Sequence, residues 1–98
     1  MKLPIKYHQT HWSDRRKARE QYIVEQDGKC YHCKCSLSSD PPQEILDHDI
    51  DWSLFPGGMD FLKYPIHLHH DHYTGLTIGA VHSYCNAVLF EYHGEYDG

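Results

Sequence analysis

A single small α+β domain is the fold class this sequence predicts, and three observations predict it. The chain has 98 residues, too few for two hydrophobic cores. Its patterning reads helix, cysteine-rich turn, irregular stretch, β-hairpin, helix. The pair Cys30-x-x-Cys33 is answered far downstream by His82-x-x-Cys85, a two-plus-two spacing that suits one tetrahedral zinc ion stapling the two halves. A domain of this size buries roughly 60–65% of its unfolded surface and is often marginal without such a staple.

The first element follows from capping. Ser13 or Thr10 can cap a helix that runs to about Gln26, with Asp14 in its first turn and Ala18, Tyr22 and Val24 as weakly periodic apolar positions. Asp27-Gly28 stops it. Residues 29–35 (KCYHCKC) form a tight turn with strand-like flanks, and residues 36–43 (SLSSDPPQ) carry a plain loop signal. The stretch 45–63 holds acids, Trp52, Phe55 and a Pro-Gly-Gly turn. It reads as an insertion whose aromatics cover the core from outside. Residues 65–70 and 76–81 make two strands joined by a Tyr73-Thr74-Gly75 turn. From Ser83 a last helix presents Ala87, Val88 and Phe90 to Tyr92 and ends at Gly94. The expected organisation is thus a basic helical arm (1–28), a metal-bound core (29–35 and 66–94) and an insertion (36–65).

Composition excludes several classes. At 40% hydrophobic and 23% charged residues, the chain folds rather than staying disordered. No apolar run approaches the ~18 residues of a membrane span, and the N-terminal MKLPIKYHQT lacks a secretory apolar core, which predicts a cytoplasmic protein with no membrane partner. The net charge of −5 hides an asymmetry. Residues 1–35 carry eight Lys/Arg against four acids, a balance of +4, whereas residues 36–98 carry only Lys63 against ten acids, a balance of −9. A basic third that includes Arg15, Arg16, Lys17 and Arg19 suits DNA phosphates, and contacts of that kind carry no sequence preference. Its plain alternative is the solvated face of a helix. Asp47, Asp49 and Asp51 read as a solvated acidic loop.

Four cysteines without a secretory signal favour metal over disulfides. Cys35 is an ambiguity: Cys30, Cys33, Cys35 and Cys85 would also supply four sulfurs and leave His82 out. A third ligand two residues from Cys33 strains a turn already closed by Cys30 and Cys33, so Cys35 reads as a free, partly buried thiol. A C₂H₂ finger lacks its histidine pair, and a zinc nucleobase deaminase lacks both of its motifs.

The run IHLHHDHYTGLTIGAVHSYCN (66–86) places His67, His69, His70 and His72 within six residues. Buried imidazoles would compete for partners, so a plain surface or metal-coating role competes with a second, catalytic metal site. The cysteine pair, the segment Leu68 to His72, Thr74-Gly75, Gly79 and Cys85-Asn86 together resemble the HNH nucleases. Within them the chain is most similar to the recombination-endonuclease VII branch. The resemblance covers residues 29–33 and 66–90 well and the rest poorly. It implies a treble-clef-like ββα-metal core preceded by the N-terminal helix. His69 matches a ligand of the catalytic metal, where that branch usually has Asp. His70 matches the general base, His72 a residue that holds or polarises the scissile phosphate, and Asn86 the second metal ligand. Cys30, Cys33, His82 and Cys85 match the structural zinc ligands, with His82 replacing the branch's usual cysteine. On spacing alone, capping the last helix is the better reading of Asn86.

This chemistry suits phosphodiester hydrolysis, which needs a base for water and a cation for the phosphate and the leaving 3′-oxygen. A neutral imidazole near pH 7 can serve as that base. A histidine at position 69 shifts the expected metal from Mg²⁺ toward Mn²⁺, Ni²⁺ or Co²⁺. In a regular strand His69 and His70 point to opposite faces, so the strand is expected to lose regularity there or to be approached from its end. The sequence therefore predicts a metal-dependent hydrolase, an HNH endonuclease that nicks duplex DNA, of the kind often found in phages and mobile elements. It would use one catalytic divalent metal beside a structural zinc, as a monomer or weak dimer in the host cytoplasm. The rival is a non-catalytic zinc module that binds DNA or protein. A histidine-rich metal store fits less well, because the histidines cluster at one patterned site.

Overall fold

A helix packed on a two-stranded antiparallel sheet organises the chain, as described for residues 2–55, 62–71 and 73–89 in a computed structural model. Helix α1 spans Trp12–Glu25. Its cap is neither Ser13 nor Thr10 but His11, whose Nδ1 accepts the Ser13 amide at 3.2 Å. An imidazole nitrogen here does what a Ser or Asp oxygen usually does for an orphan amide. The helix stops where Asp27-Gly28 predicts. Gly28 N–H bonds Ile23 O and Asp27 N–H bonds Val24 O, with both residues at positive φ (72° and 58°, respectively), which is a Schellman termination. Ala18 is buried and Tyr22 and Ile23 pack on the core, whereas Val24 is exposed. Six residues beyond Ala18, Val24 has rotated off the packed face.

Strand β1 (Ile66–His70) pairs with β2 (Thr77–His82) from Ile66↔His82 to His69↔Gly79, then slips to His70↔Thr77. Ile78 is the extra residue, so the ladder bulges between His69 and His70. The irregularity lies in β2, opposite His69 and His70, whereas β1 itself runs continuously from Ile66 and ends at His70. The turn is tied by Asp71, whose Oδ1 accepts the amides of Tyr73 (2.8 Å) and Thr74 (3.0 Å), while Gly75 takes φ +73°.

The free edge of β2 is covered by side chain and loop. Residues 5–7 lie along its start, with Thr77 N–H on Ile5 O and Tyr7 N–H on Gly75 O. Farther on, Gln26 mimics a strand: its Oε1 accepts Ala80 N–H at 2.8 Å and its Nε2 donates to Ala80 O at 2.9 Å. Gly79 permits this approach, since a Cβ there would sit 2.7 Å from Gln26 Oε1 and 3.0 Å from the Tyr31 ring. Gln26→Ala strands the buried Ala80 N–H, because Tyr31 partners only the carbonyl. The variant is expected to lose about 1–3 kcal/mol of stability in urea titration.

Residues 83–89 form the last described helix, α3; its end, with Phe90 to Tyr92 and Gly94, lies outside the described residues. The main core joins Cys30, Leu37, Ala80, Val81 and Cys85. A second cluster sets Ile50 and Phe55 against Ala87 and Val88 of α3, flanked by Trp52 and Tyr84. Tyr84 Oη also donates to the carbonyls of Leu46 and His48, beside the single-turn helix α2 (Gln43–Leu46). Residues 45–55 thus sit on the outer side of α3. The segment 36–43 does more than loop: Leu37 is buried in the main core. No helix among the described residues is long and apolar enough to cross a membrane.

Candidate metal centre and histidine groove

The tight turn and the β2–α3 junction bring four ligands together. Lys34 turns the chain at φ +66°, its N–H bonding Cys30 O while Cys30 N–H bonds Cys35 O at 2.8 Å. Cys35 therefore contributes a carbonyl to the turn, and its thiol stays outside the ligand group. Opposite, His82 closes β2 and Cys85 lies in the first turn of α3. The ligand atoms of Cys30, Cys33, His82 and Cys85 all fall within 4.8 Å of one another. Thiolates at about 2.3 Å from a tetrahedral zinc lie about 3.8 Å apart, so the group fits that ion.

The histidine's tautomer is fixed by its surroundings. His82 Nε2 donates to the carbonyls of Ser36 and Ser39, each at 2.8 Å. That leaves Nδ1, 3.3 Å from Cys33 Sγ and 3.7 Å from Cys85 Sγ, to supply the lone pair. A ligating histidine whose other nitrogen is held by carbonyls is the arrangement metal sites use to orient imidazole. Segment 36–39, read from sequence as a plain loop, is therefore part of the centre.

The sulfurs are also polarised. Hydrogen bonding from Cys85, together with the amides of Cys33, His82 and His32, holds the Cys30 thiol down to about 4 against the effect of burial. Cys85 is pushed far up, because it keeps the proton it shares with Cys30 and is buried beside that charge. Burial raises Cys33 as well. Ligation through Cys33 and Cys85, both raised, would therefore release protons.

A groove of about 740 Å³ lies between α1, β1 and the start of α3. Its half-buried floor carries Ile66, His67, His69, His70 and Asn86. Arg15, Arg16 and Arg19 line it from α1. Lys17 does not line it, and its ammonium lies 4.0 Å from Asp14 instead. His72 lies outside the described residues.

Two contacts in the groove carry no local sequence signal. Asn86 Nδ2 donates to His67 Nδ1 at 3.1 Å, tying the first turn of α3 to β1. The period of two in a strand, which sets His67 on the same face as His69, is the only clue to it. Tyr7 stacks on His70 with ring centroids 4.1 Å apart and planes at 8°, and the Arg15 guanidinium lies 4.7 Å over the Tyr7 ring. His8 meets the same imidazole edge-on at 5.0 Å.

No protein-family model, curated protein or solved structure matches this chain. The chemistry of both sites rests on the residues themselves.

Proposed function

We propose that this chain is a metal-dependent DNA endonuclease of the ββα-metal type, with a structural zinc at Cys30, Cys33, His82 and Cys85. The observation that carries the reading is the joining of Asn86 to His67 inside an arginine-lined groove whose floor also holds His69 and His70. A binding module has no need of a neutral amide and three imidazoles gathered below a basic wall.

In this reading Asn86 and His69 would hold a divalent cation, an amide oxygen and an imidazole being donors that such ions accept. The Asn86 amide nitrogen is spent on His67, so its oxygen is the atom that remains for an ion, with His69 as the partner ligand. Bound there, the ion would neutralise charge on the phosphate and the leaving oxygen. His70 takes the proton from water. Its stacking on Tyr7 holds the imidazole plane, while proton transfer uses the nitrogens within that plane. Arg15, Arg16 and Arg19 hold the flanking phosphates.

Metal preference tests the reading. Zinc-loaded protein is expected to nick supercoiled plasmid at least as fast with Mn²⁺, Ni²⁺ or Co²⁺ as with Mg²⁺, since imidazole favours the softer ions. His69→Asp is expected to raise the Mg²⁺-supported rate relative to the Ni²⁺-supported one. Cleavage confined to Mg²⁺ in the wild type, or an unchanged ratio in His69→Asp, would remove His69 from the site.

A further inference from the structure

The groove's rim differs in kind from its floor. His67, His69, His70 and Asn86 are half-buried, whereas two large aromatic side chains on the rim, Trp12 at 61% and Tyr64 at 64% exposure, stand largely in solvent. Trp12 opens α1 and Tyr64 precedes β1, so they come from different segments of the chain. Cations accompany both. Arg15, Arg16 and Arg19 follow Trp12 along α1 into the groove, and Lys63 Nζ lies 5.7 Å from the Tyr64 ring centroid. Arg15 Nε is buried without a hydrogen-bond partner among the described residues. Leaving such rings in water forgoes burial that a core would reward, and here they border the reactive floor.

Exposed aromatics interleaved with cations are what an unpaired strand requires. Bases that are not stacked on one another offer their faces to aromatic side chains, and the phosphates between them meet arginine and lysine. Paired bases in a duplex are already stacked and gain nothing from such rings. A groove of about 740 Å³ is also of the size that encloses small-molecule-sized groups. The geometry points to single-stranded DNA, or a locally opened strand, as the substrate. Its bases stack on Trp12 and Tyr64 while a phosphate reaches the histidine floor. The assignment rests on the nuclease reading for the identity of the strand as DNA, and it replaces duplex DNA as the preferred form.

The test is equilibrium binding without added divalent ion, so that affinity is read apart from cleavage. Short oligothymidylate and a hairpin duplex with the same number of phosphates are compared at one salt concentration by fluorescence anisotropy. Oligothymidylate is expected to bind more tightly than the duplex. Trp12→Ala and Tyr64→Ala are each expected to weaken it about 5- to 150-fold, the usual range for losing one stacked base. Duplex affinity should change by less than about twofold, and Trp12→Phe should retain most of the single-strand affinity. Both positions are exposed, and retained zinc with unchanged circular dichroism verifies folding. Equal or tighter duplex binding, or equal losses on both ligands, would overturn the assignment. Selective oligothymidylate binding in a protein that cleaves no DNA with any metal would support the groove assignment while removing the nuclease reading.

Discussion

Zinc-loaded protein carrying His70→Ala is expected to nick supercoiled DNA about 10²–10⁴-fold more slowly than the wild type, the usual cost of losing a general base. The substitution leaves the metal group intact, because His70 lies at the far end of β1 from the partner of His82 and contributes none of the four clustered ligand atoms. It does remove the ring on which Tyr7 stacks, a contact worth about 0.5–1.5 kcal/mol. Two Tyr7 variants separate this packing from the chemistry. Tyr7→Phe keeps the stacked ring and should retain most of the rate. Tyr7→Ala frees the His70 ring and should slow nicking by up to about tenfold, with Michaelis constant and bound zinc little changed. Initial rates at matched zinc content read all three variants, and an unimpaired His70→Ala would exclude His70 as the base.

Zinc removal is expected to unfold the described core. Cys30 and Cys85 belong both to the group that could hold zinc and to the main hydrophobic cluster, so an ion bound there would form together with the core. Structural zinc sites supply apparent binding free energies of roughly 10–16 kcal/mol near neutral pH, comparable with or greater than the about 5–15 kcal/mol that holds a whole domain folded. Chelation should therefore collapse the far-ultraviolet circular dichroism cooperatively, and restored zinc should recover it. Cys85→Ser should lose stoichiometric zinc, whereas Cys35→Ser should keep one zinc per chain. The pH dependence has a definite sign: Cys33 and Cys85 are raised and ligate only as thiolates. Zinc retention should accordingly weaken as the pH falls. A chain that stays folded after its zinc is removed would show that the centre does not staple the domain.

Features written in local spacing were legible in the sequence. The two-plus-two ligand pattern picked out Cys30, Cys33, His82 and Cys85, and the cost of crowding one turn set Cys35 apart from them. Asp27-Gly28 marked the end of α1, and the hairpin emerged within one residue at each strand. Features made by side chains reaching across the fold were not legible. Gln26 pairs with Ala80 across 54 positions, and Tyr7 reaches His70 from an arm whose residues show no periodicity. The His11 cap was missed because histidine is not a usual capping residue. Residues 36–39 look like loop because serine carbonyls serve His82, and every residue has a carbonyl. The same limit applies to His67: alternation put it on one face with His69, but its bond to Asn86 depends on where α3 docks.

The central claim is that the histidine floor is a hydrolytic site distinct from the zinc centre. The most direct measurement incubates zinc-loaded wild-type protein with supercoiled plasmid, with and without added Mn²⁺, and follows conversion to the nicked form. Nicking only when the second metal is added is the expected result. No cleavage of supercoiled plasmid or of single-stranded circular DNA with Mn²⁺, Ni²⁺, Co²⁺ or Mg²⁺, in a protein that keeps its zinc and still binds DNA, would contradict the claim and leave a DNA-binding zinc module.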